Sequence, residues 1–257
     1  MTRVTVENLW KVYGDQTVLE NINFEAEPGS FISLVGPSGC GKSTFLRMML
    51  GDEAPSRGRI LIDGVALEAE PSPDRGVVFQ KYSVFPHLTA LQNVMLGLEF
   101  AGSPFAARLF GRAKREARKL SLEMLNSVGL TQAVNKYPSE LSGGMQQRLA
   151  IAQALVKKPK ILLLDEPFGA LDPGIRAEVH EIMLRLWREE GMTIFMVTHD
   201  LSEAFKLGTR VIAFDRRRTR PEELKAYGAT VTFDLKVDGK TVPPRPEAPA
   251  PLAAAAQ

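Results

Sequence analysis

One short motif limits what this chain can become. Gly36, Pro37, Ser38, Gly39, Cys40, Gly41, Lys42 and Ser43 fit the pattern G-x-x-x-x-G-K-[ST]. The motif lies between the apolar run Phe31–Val35 and the helix-like stretch 44–50, so it predicts a strand, a glycine turn and a helix start in sequence. Glycines let the backbone curl around an anion, with successive N–H groups and the helix N-terminus pointing at phosphate oxygens. Lys42 adds a positive charge, Ser43 offers a hydroxyl to Mg²⁺, and Thr44 continues the cradle. At average residue usage the bare pattern arises by accident in roughly one chain of this length in a hundred. A merely flexible glycine turn is the alternative, and the flanking strand and helix weigh against it. Cys40 holds an unconstrained position, so no redox role is expected of it.

A second constraint comes from the run 161–164, Ile-Leu-Leu-Leu, followed by Asp165 and Glu166. A strand buried in a sheet would deliver Asp165 to the phosphate site, where it holds Mg²⁺ through water. Glu166 points elsewhere and is placed to orient the attacking water or accept its proton. Taken alone, the run reads equally well as a strand ending in solvent.

The rest of the chain alternates in period. Val4 and Val6 alternate with polar neighbours, and residues 60–62 end at Asp63-Gly64, so the start is rich in strands. Thr89 and Gln92 form a capping-box pattern, and Leu120, Met124, Leu125 and Val128 mark a helical face closed by Gly129. A helical insert is expected over about 85–157. Then follow the strand 160–164, a helix through Val179, Ile182, Met183, Leu186 and Trp187, and the strand Thr193–Val197. A second helix has Asp200 and Glu203 as its capping box and Gly208 as its stop. Such alternation argues for a mostly parallel sheet with helices on its faces.

Composition sets the outer limits. The 257 residues carry 32 Lys+Arg against 30 Asp+Glu, a formal net charge of +2, and one cysteine, so no internal disulfide forms. No signal peptide is read at the start. No window approaches the roughly 18 apolar residues of a spanning helix, so work at a membrane requires another chain to cross it. In 216–242 the alternation of Val231, Phe233, Leu235 and Val237 predicts a short strand and a turn. The Pro- and Ala-rich tail 243–257 has no apolar face to bury, and disorder is expected there.

The stretch Leu141, Ser142, Gly143, Gly144, Met145, Gln146, Gln147, Arg148 resembles the signature sequence of ATP-binding cassette (ABC) ATPases. The resemblance covers about 3–215 and includes, in order, Tyr13 as adenine-stacking aromatic, the phosphate loop, Gln80 as Q-loop glutamine, the signature, Asp165 and Glu166, Ala170-Leu171-Asp172 as D-loop and His199 as switch histidine. It implies an α/β P-loop NTPase fold: a mostly parallel sheet, an N-terminal antiparallel β portion and an α-helical subdomain over about 85–157. It further implies binding of ATP and Mg²⁺, with Ser43, Gln80 and Asp165 at the metal and Glu166, Gln80 and His199 in catalysis. Ser142, Gly143, Gly144 and Asp172 would complete the nucleotide site of a second copy in a head-to-tail dimer. Asn135-Lys136-Tyr137-Pro138 lacks the Asp of a guanine reader.

The chain looks most like the nitrate, sulfonate and taurine import group. The resemblance therefore implies an ATP-hydrolysing importer subunit on the cytoplasmic face of the inner membrane, beneath two transmembrane permease subunits and served by a solute-binding protein. The alternatives are a soluble ABC ATPase of DNA repair or translation and an exporter subunit. The single cassette and near-neutral charge argue against nucleic acid as a partner. Residues 220–223 and 227–230 also resemble relatives associated with urea or guanidine metabolism. His180 falls between Val179 and Glu181 and is expected on the solvated side of its helix; His87 is expected to face a membrane partner. The basic run Arg108, Arg112, Lys114, Arg115, Arg118 and Lys119 is a solvated helix face or an electrostatic docking surface.

Overall fold

The computed structural model describes residues 2–68, 70–79, 84–102, 109–218, 225–237 and 239–240. In chain order the strands are β1 (Val4–Tyr13), β2 (Gln16–Ala26), β3 (Phe31–Val35), β4 (Arg57–Ile62), β5 (Val65–Ala66), β6 (Arg75–Val78), β7 (Ile161–Asp165), β8 (Thr193–Val197), β9 (Arg210–Asp215) and β10 (Thr230–Lys236). The helices are α1 (Lys42–Leu50), α2 (Ala90–Gly102), α3 (Gly111–Ser127), α4 (Gly143–Leu155), α5 (Pro173–Glu190) and α6 (Leu201–Leu207).

Strands that are apolar at nearly every position are buried on both faces, and β3, β7 and β8 show why. They sit side by side in the order β10-β9-β3-β8-β7-β6, parallel except for β10, which runs antiparallel to β9. Successive side chains alternate faces. Phe31, Leu162, Leu164, Ile194 and Met196 enter the core shared with α2 to α5. Ile32, Leu34, Leu163, Phe195 and Val197 enter the core shared with α1 and the antiparallel sheet β2-β1-β4-β5. Trp187 of α5 ties the helical layer down, donating to the Gly29 carbonyl at 2.9 Å and standing edge-on to Phe31. This is the mixed α/β architecture that the motifs imply.

Local signals act largely as their chemistry dictates. The Thr89 N–H donates to Gln92 Oε1 at 2.8 Å and the Gln92 N–H to Thr89 Oγ1 at 3.3 Å, a reciprocal capping box ahead of α2. At α6 only half of the expected box forms. Asp200 Oδ1 accepts from the Glu203 N–H at 3.2 Å, but the Glu203 carboxylate is drawn inward to other partners. The helix does stop at Gly208, whose backbone is extended rather than left-handed. Strand β10 follows the alternation of 230–236, yet Phe233 and Leu235 remain 66% and 49% exposed. Both pair with β9 at the outer edge of the sheet, after a register shift between Val231 and Phe233. The tail 243–257 lies outside the described residues.

Candidate functional site

Loops converge where parallel strands end, and here three adjacent strands end together. Strand β3 runs into the glycine loop, β7 ends in Asp165 and Glu166, and β8 is followed by Thr198 and His199. Gly36 opens the loop with φ 142°, and a Cβ there would sit 2.0 Å from the Phe214 carbonyl oxygen of β9. Only glycine allows the loop to pass that strand so closely. Lys42 is buried, and its ammonium donates to the carbonyls of Gly36 and Pro37 at 2.8 and 2.9 Å. The charge is thereby held inside the curve of the loop, beside the α1 N–H groups that have no partner within the helix. Cys40 is buried with its sulfur 3.7 Å from the Lys42 ammonium.

Ser43 Oγ donates to Asp165 Oδ1 at 3.0 Å. Burial pushes the Asp165 carboxyl above the ordinary carboxylate range; the Ser43 hydrogen bond opposes this, and the neighbouring Glu166 charge adds to it. A hydroxyl and a carboxylate so close form a hard-oxygen pair suited to Mg²⁺ shared with phosphate. Among the described residues, no group of three or more His, Cys, Asp or Glu side chains could hold a metal ion unaided.

Glu166 follows in a left-handed conformation, φ 46°, with its N–H donating to Val197 of β8 at 3.0 Å. A non-glycine residue held there stores strain of the kind that gathers at functional sites. Its Oε2 lies 3.3 Å from Nδ1 of the exposed His199. The arrangement can therefore cradle an anion, hold a hard cation beside it, and present a carboxylate and an imidazole to a small nucleophile.

The remaining expected site residues sit elsewhere. Tyr13 ends β1 and is partly exposed; its hydroxyl donates to Glu53, and the Lys11 ammonium lies 4.8 Å from its ring centroid. Burial raises its phenol pKa, and Glu53 adds to the rise. Glu53 also accepts from Arg47 of α1 at 3.1 Å, which fixes the aromatic relative to the loop helix. Ser142 caps α4, its Oγ accepting from the Met145 N–H at 3.4 Å, with Gly143 exposed beside it. A Cβ on Gly144 would fall 2.3 Å from Ile175 Cγ2, so this glycine also serves the contact of α4 with α5. Asp172 is exposed at the N-cap of α5. Gln80 and Arg108 lie outside the described residues.

His180 overturns the expectation of a solvated position. It is only 4% exposed, its Nε2 lies 2.9 Å from Glu203 Oε1, and its ring stands edge-on to Phe168 with centroids 4.7 Å apart. The sequence does carry a signal for this. Residue 180 precedes the buried Met183 and Trp187 at helical spacing, so it flanks the buried stripe of α5.

A protein-family model described as "ABC transporter" matches residues 19–169. The chain belongs to the ABC transporter family. It is 43% identical over 213 residues to the bicarbonate transport ATP-binding protein CmpD of Synechocystis sp., covering 81% of this chain and 73% of that one. To the nitrate import ATP-binding protein NrtC of Synechococcus elongatus it is 46% identical over 199 residues, covering 77% of this chain but 29% of that much longer one. Among solved structures, the dimeric post-hydrolysis state of the ATP-binding cassette MJ0796 bound to ADP and Pi is 33% identical, with a TM-score of 0.73 over 92% of this chain and all of the other. The ABC cassette fold is thus matched over 92% of this chain, and the phosphate loop lies within the family match.

Proposed function

We propose that this chain is the ATP-hydrolysing subunit of an ABC importer. The observation that carries the reading is the convergence of the buried Lys42, the Ser43–Asp165 pair and the Glu166–His199 pair at adjoining strand ends. The phosphates of ATP rest on the loop N–H groups and Lys42, with the base against Tyr13. Ser43, Asp165 and Gln80 would hold Mg²⁺, which supplies neutralisation of the phosphate charge. Glu166 orients a water molecule and takes its proton as the water oxygen attacks the γ-phosphorus and the bond to ADP breaks. His199 stabilises the γ-phosphate. Ser142, Gly143, Gly144 and Asp172 complete the site of a second copy, so ATP joins two chains head to tail and hydrolysis releases them.

Among the described residues no helix is long and apolar enough to cross a membrane. Transport then requires two permease subunits, with this chain peripheral at the cytoplasmic face and a solute-binding protein delivering cargo. The name of the nitrate relative supports import, and that of the bicarbonate relative supports transport. A groove of about 590 Å³ lined by Met95, Leu96, Leu109 and Phe110 and by the charged Glu99 and Lys114 offers the permease a part-apolar, part-charged landing site, with exposed His87 nearby in sequence.

Glu166→Gln tests the hydrolytic half. The variant should bind ATP as the wild type does, accumulate as a dimer and turn over at least about 100-fold more slowly; wild-type turnover would remove Glu166 from this role. For the transport half, purification from native membranes should recover an integral membrane chain. Ribosomes or DNA in its place would reject the importer.

A further inference from the structure

Helix α5 and the segment 198–203 are joined by two rungs. Arg176 and His180 lie one turn apart on α5, and Asp200 and Glu203 lie three residues apart at the start of α6. The outer rung is Arg176 to Asp200 Oδ2 at 3.4 Å, between partly exposed side chains. The inner rung is His180 to Glu203 at 2.9 Å, with the two residues 4% and 6% exposed. Glu203 does more than accept from His180: its Oε2 accepts from Thr198 Oγ1 at 2.6 Å, and Thr198 Oγ1 in turn accepts from the Asp200 N–H at 3.1 Å. The donor directions close on themselves. The Asp200 N–H feeds the Thr198 hydroxyl, that hydroxyl feeds one carboxylate oxygen, and the histidine N–H feeds the other. The Glu203 N–H returns to Asp200 Oδ1.

This circuit flanks the exposed His199 on both sides in the chain. Thr198 and Asp200, its neighbours on either side, are each held in the circuit, and the Thr198 N–H is also bonded to Leu34 of β3 at 3.1 Å. His180 reaches the other catalytic arm as well, through Phe168, two residues beyond Glu166. Arg176 also donates to the carbonyl of Leu171, beside Asp172. Two carboxylates, Glu203 through His180 and Asp200 through Arg176, therefore set the backbone around the imidazole relative to the strand end that carries Glu166 and the turn that carries Asp172.

We propose that Glu203, held by His180, is the positioning residue for this reaction. It acts through Thr198 to keep the His199 imidazole within reach of Glu166 and the γ-phosphate. The proposal rests on the ATPase reading above. A buried carboxylate serving both a hydroxyl and a ring N–H is satisfied only while all three groups keep their places, so displacement of the loop leaves buried polar groups unpaired. Nucleotide binding does not depend on the circuit, because Lys42 and the glycine loop bear the phosphates. Its loss should therefore appear in kcat rather than in KM for ATP.

The decisive pair is Thr198→Val and Thr198→Ser, measured by steady-state ATP hydrolysis of the purified full chain. Valine keeps the shape and removes the hydroxyl; kcat should fall about tenfold to 100-fold while KM for ATP stays within about twofold. Serine restores the hydroxyl and should recover kcat to within about threefold of wild type. The double variant His180→Met/Glu203→Met replaces the buried pair by apolar side chains, a change that often leaves stability intact. It should melt near the wild-type temperature yet show the same kcat loss as Thr198→Val. Wild-type kcat in Thr198→Val, or in the folded double variant, overturns the proposal while leaving the ATPase reading standing. A wild-type chain that hydrolyses no ATP rejects the ATPase reading and this proposal together.

Discussion

The starts of α1 and α4 are both glycine-rich helix N-termini proposed to face phosphate, but they are built differently. At α1 a buried lysine sits within the loop, the first-turn Ser43 is bonded to Asp165, and β3 and β7 deliver both halves of the site from one sheet. At α4 no lysine enters among the described residues. Ser142 and Gly143 are exposed, and the Ser142 hydroxyl is already engaged by Met145 of its own helix. A helix N-terminus alone offers about half a unit charge, well short of what a triphosphate requires. The first site can hold nucleotide within one chain; the second has only dipole, hydroxyl and bare backbone to offer. This asymmetry is the physical argument for a sandwich in which one chain binds and the other seals.

The largest expected effect tests the stronger site. Lys42→Ala removes the only side-chain cation at the loop contacts described above, and ATP affinity of the isolated chain should fall by about 100-fold or more in equilibrium titration. Unchanged affinity would dissolve the distinction between the two helix starts. Ser142→Arg should act in the opposite manner. It should leave nucleotide affinity of the monomer within about twofold, because the phosphates are bound without it, while abolishing the ATP-dependent dimer and reducing turnover by at least about tenfold. Equal damage to monomer binding from both variants would show that the two starts serve one chain in the same way.

The difference between these helix starts also explains how far the sequence could be read. The loop at 36–43 was legible because strand, turn and helix periods meet there, whereas the carboxylates at 165 and 166 became readable only beside it, since an apolar strand followed by two acids also fits a strand ending in solvent. The strand at β10 was legible from alternation alone. Alternation separates two faces without saying which is covered, however, and Phe233 and Leu235 lie exposed on the outermost strand. Glu203 was misread for a related reason. Its spacing from Asp200 matches a capping box, but the distant His180 of α5 and the nearby Thr198 compete for the same carboxylate and draw it away from the N-cap backbone. His180 escaped because it borders the apolar stripe of α5, where neighbours rather than period decide burial. Nothing local in the chain announces that Arg176 and His180 face Asp200 and Glu203.

The smallest effect concerns the cost of placing an acid beside the stronger site. The folded chain raises the Asp165 pKa chiefly by burial, so the ionised carboxylate is less stable in the native protein than in the unfolded chain. The sign follows directly. Above the raised pKa the charge costs stability; as pH falls through that value and then past the unfolded one, the cost disappears. Asp165→Asn keeps an oxygen for the Ser43 hydroxyl and removes the charge. The nucleotide-free variant should therefore melt slightly above the wild type at neutral pH, and the gap should narrow as the pH falls through the raised value toward the ordinary carboxylate range. The Ser142→Arg chain should show no such closing gap attributable to a buried acid, since Met145 rather than a carboxylate partners Ser142. A difference between wild type and Asp165→Asn that stays constant with pH would assign the effect to packing. The contrast between the helix starts would then rest on Lys42 rather than on the part-buried Asp165 carboxylate.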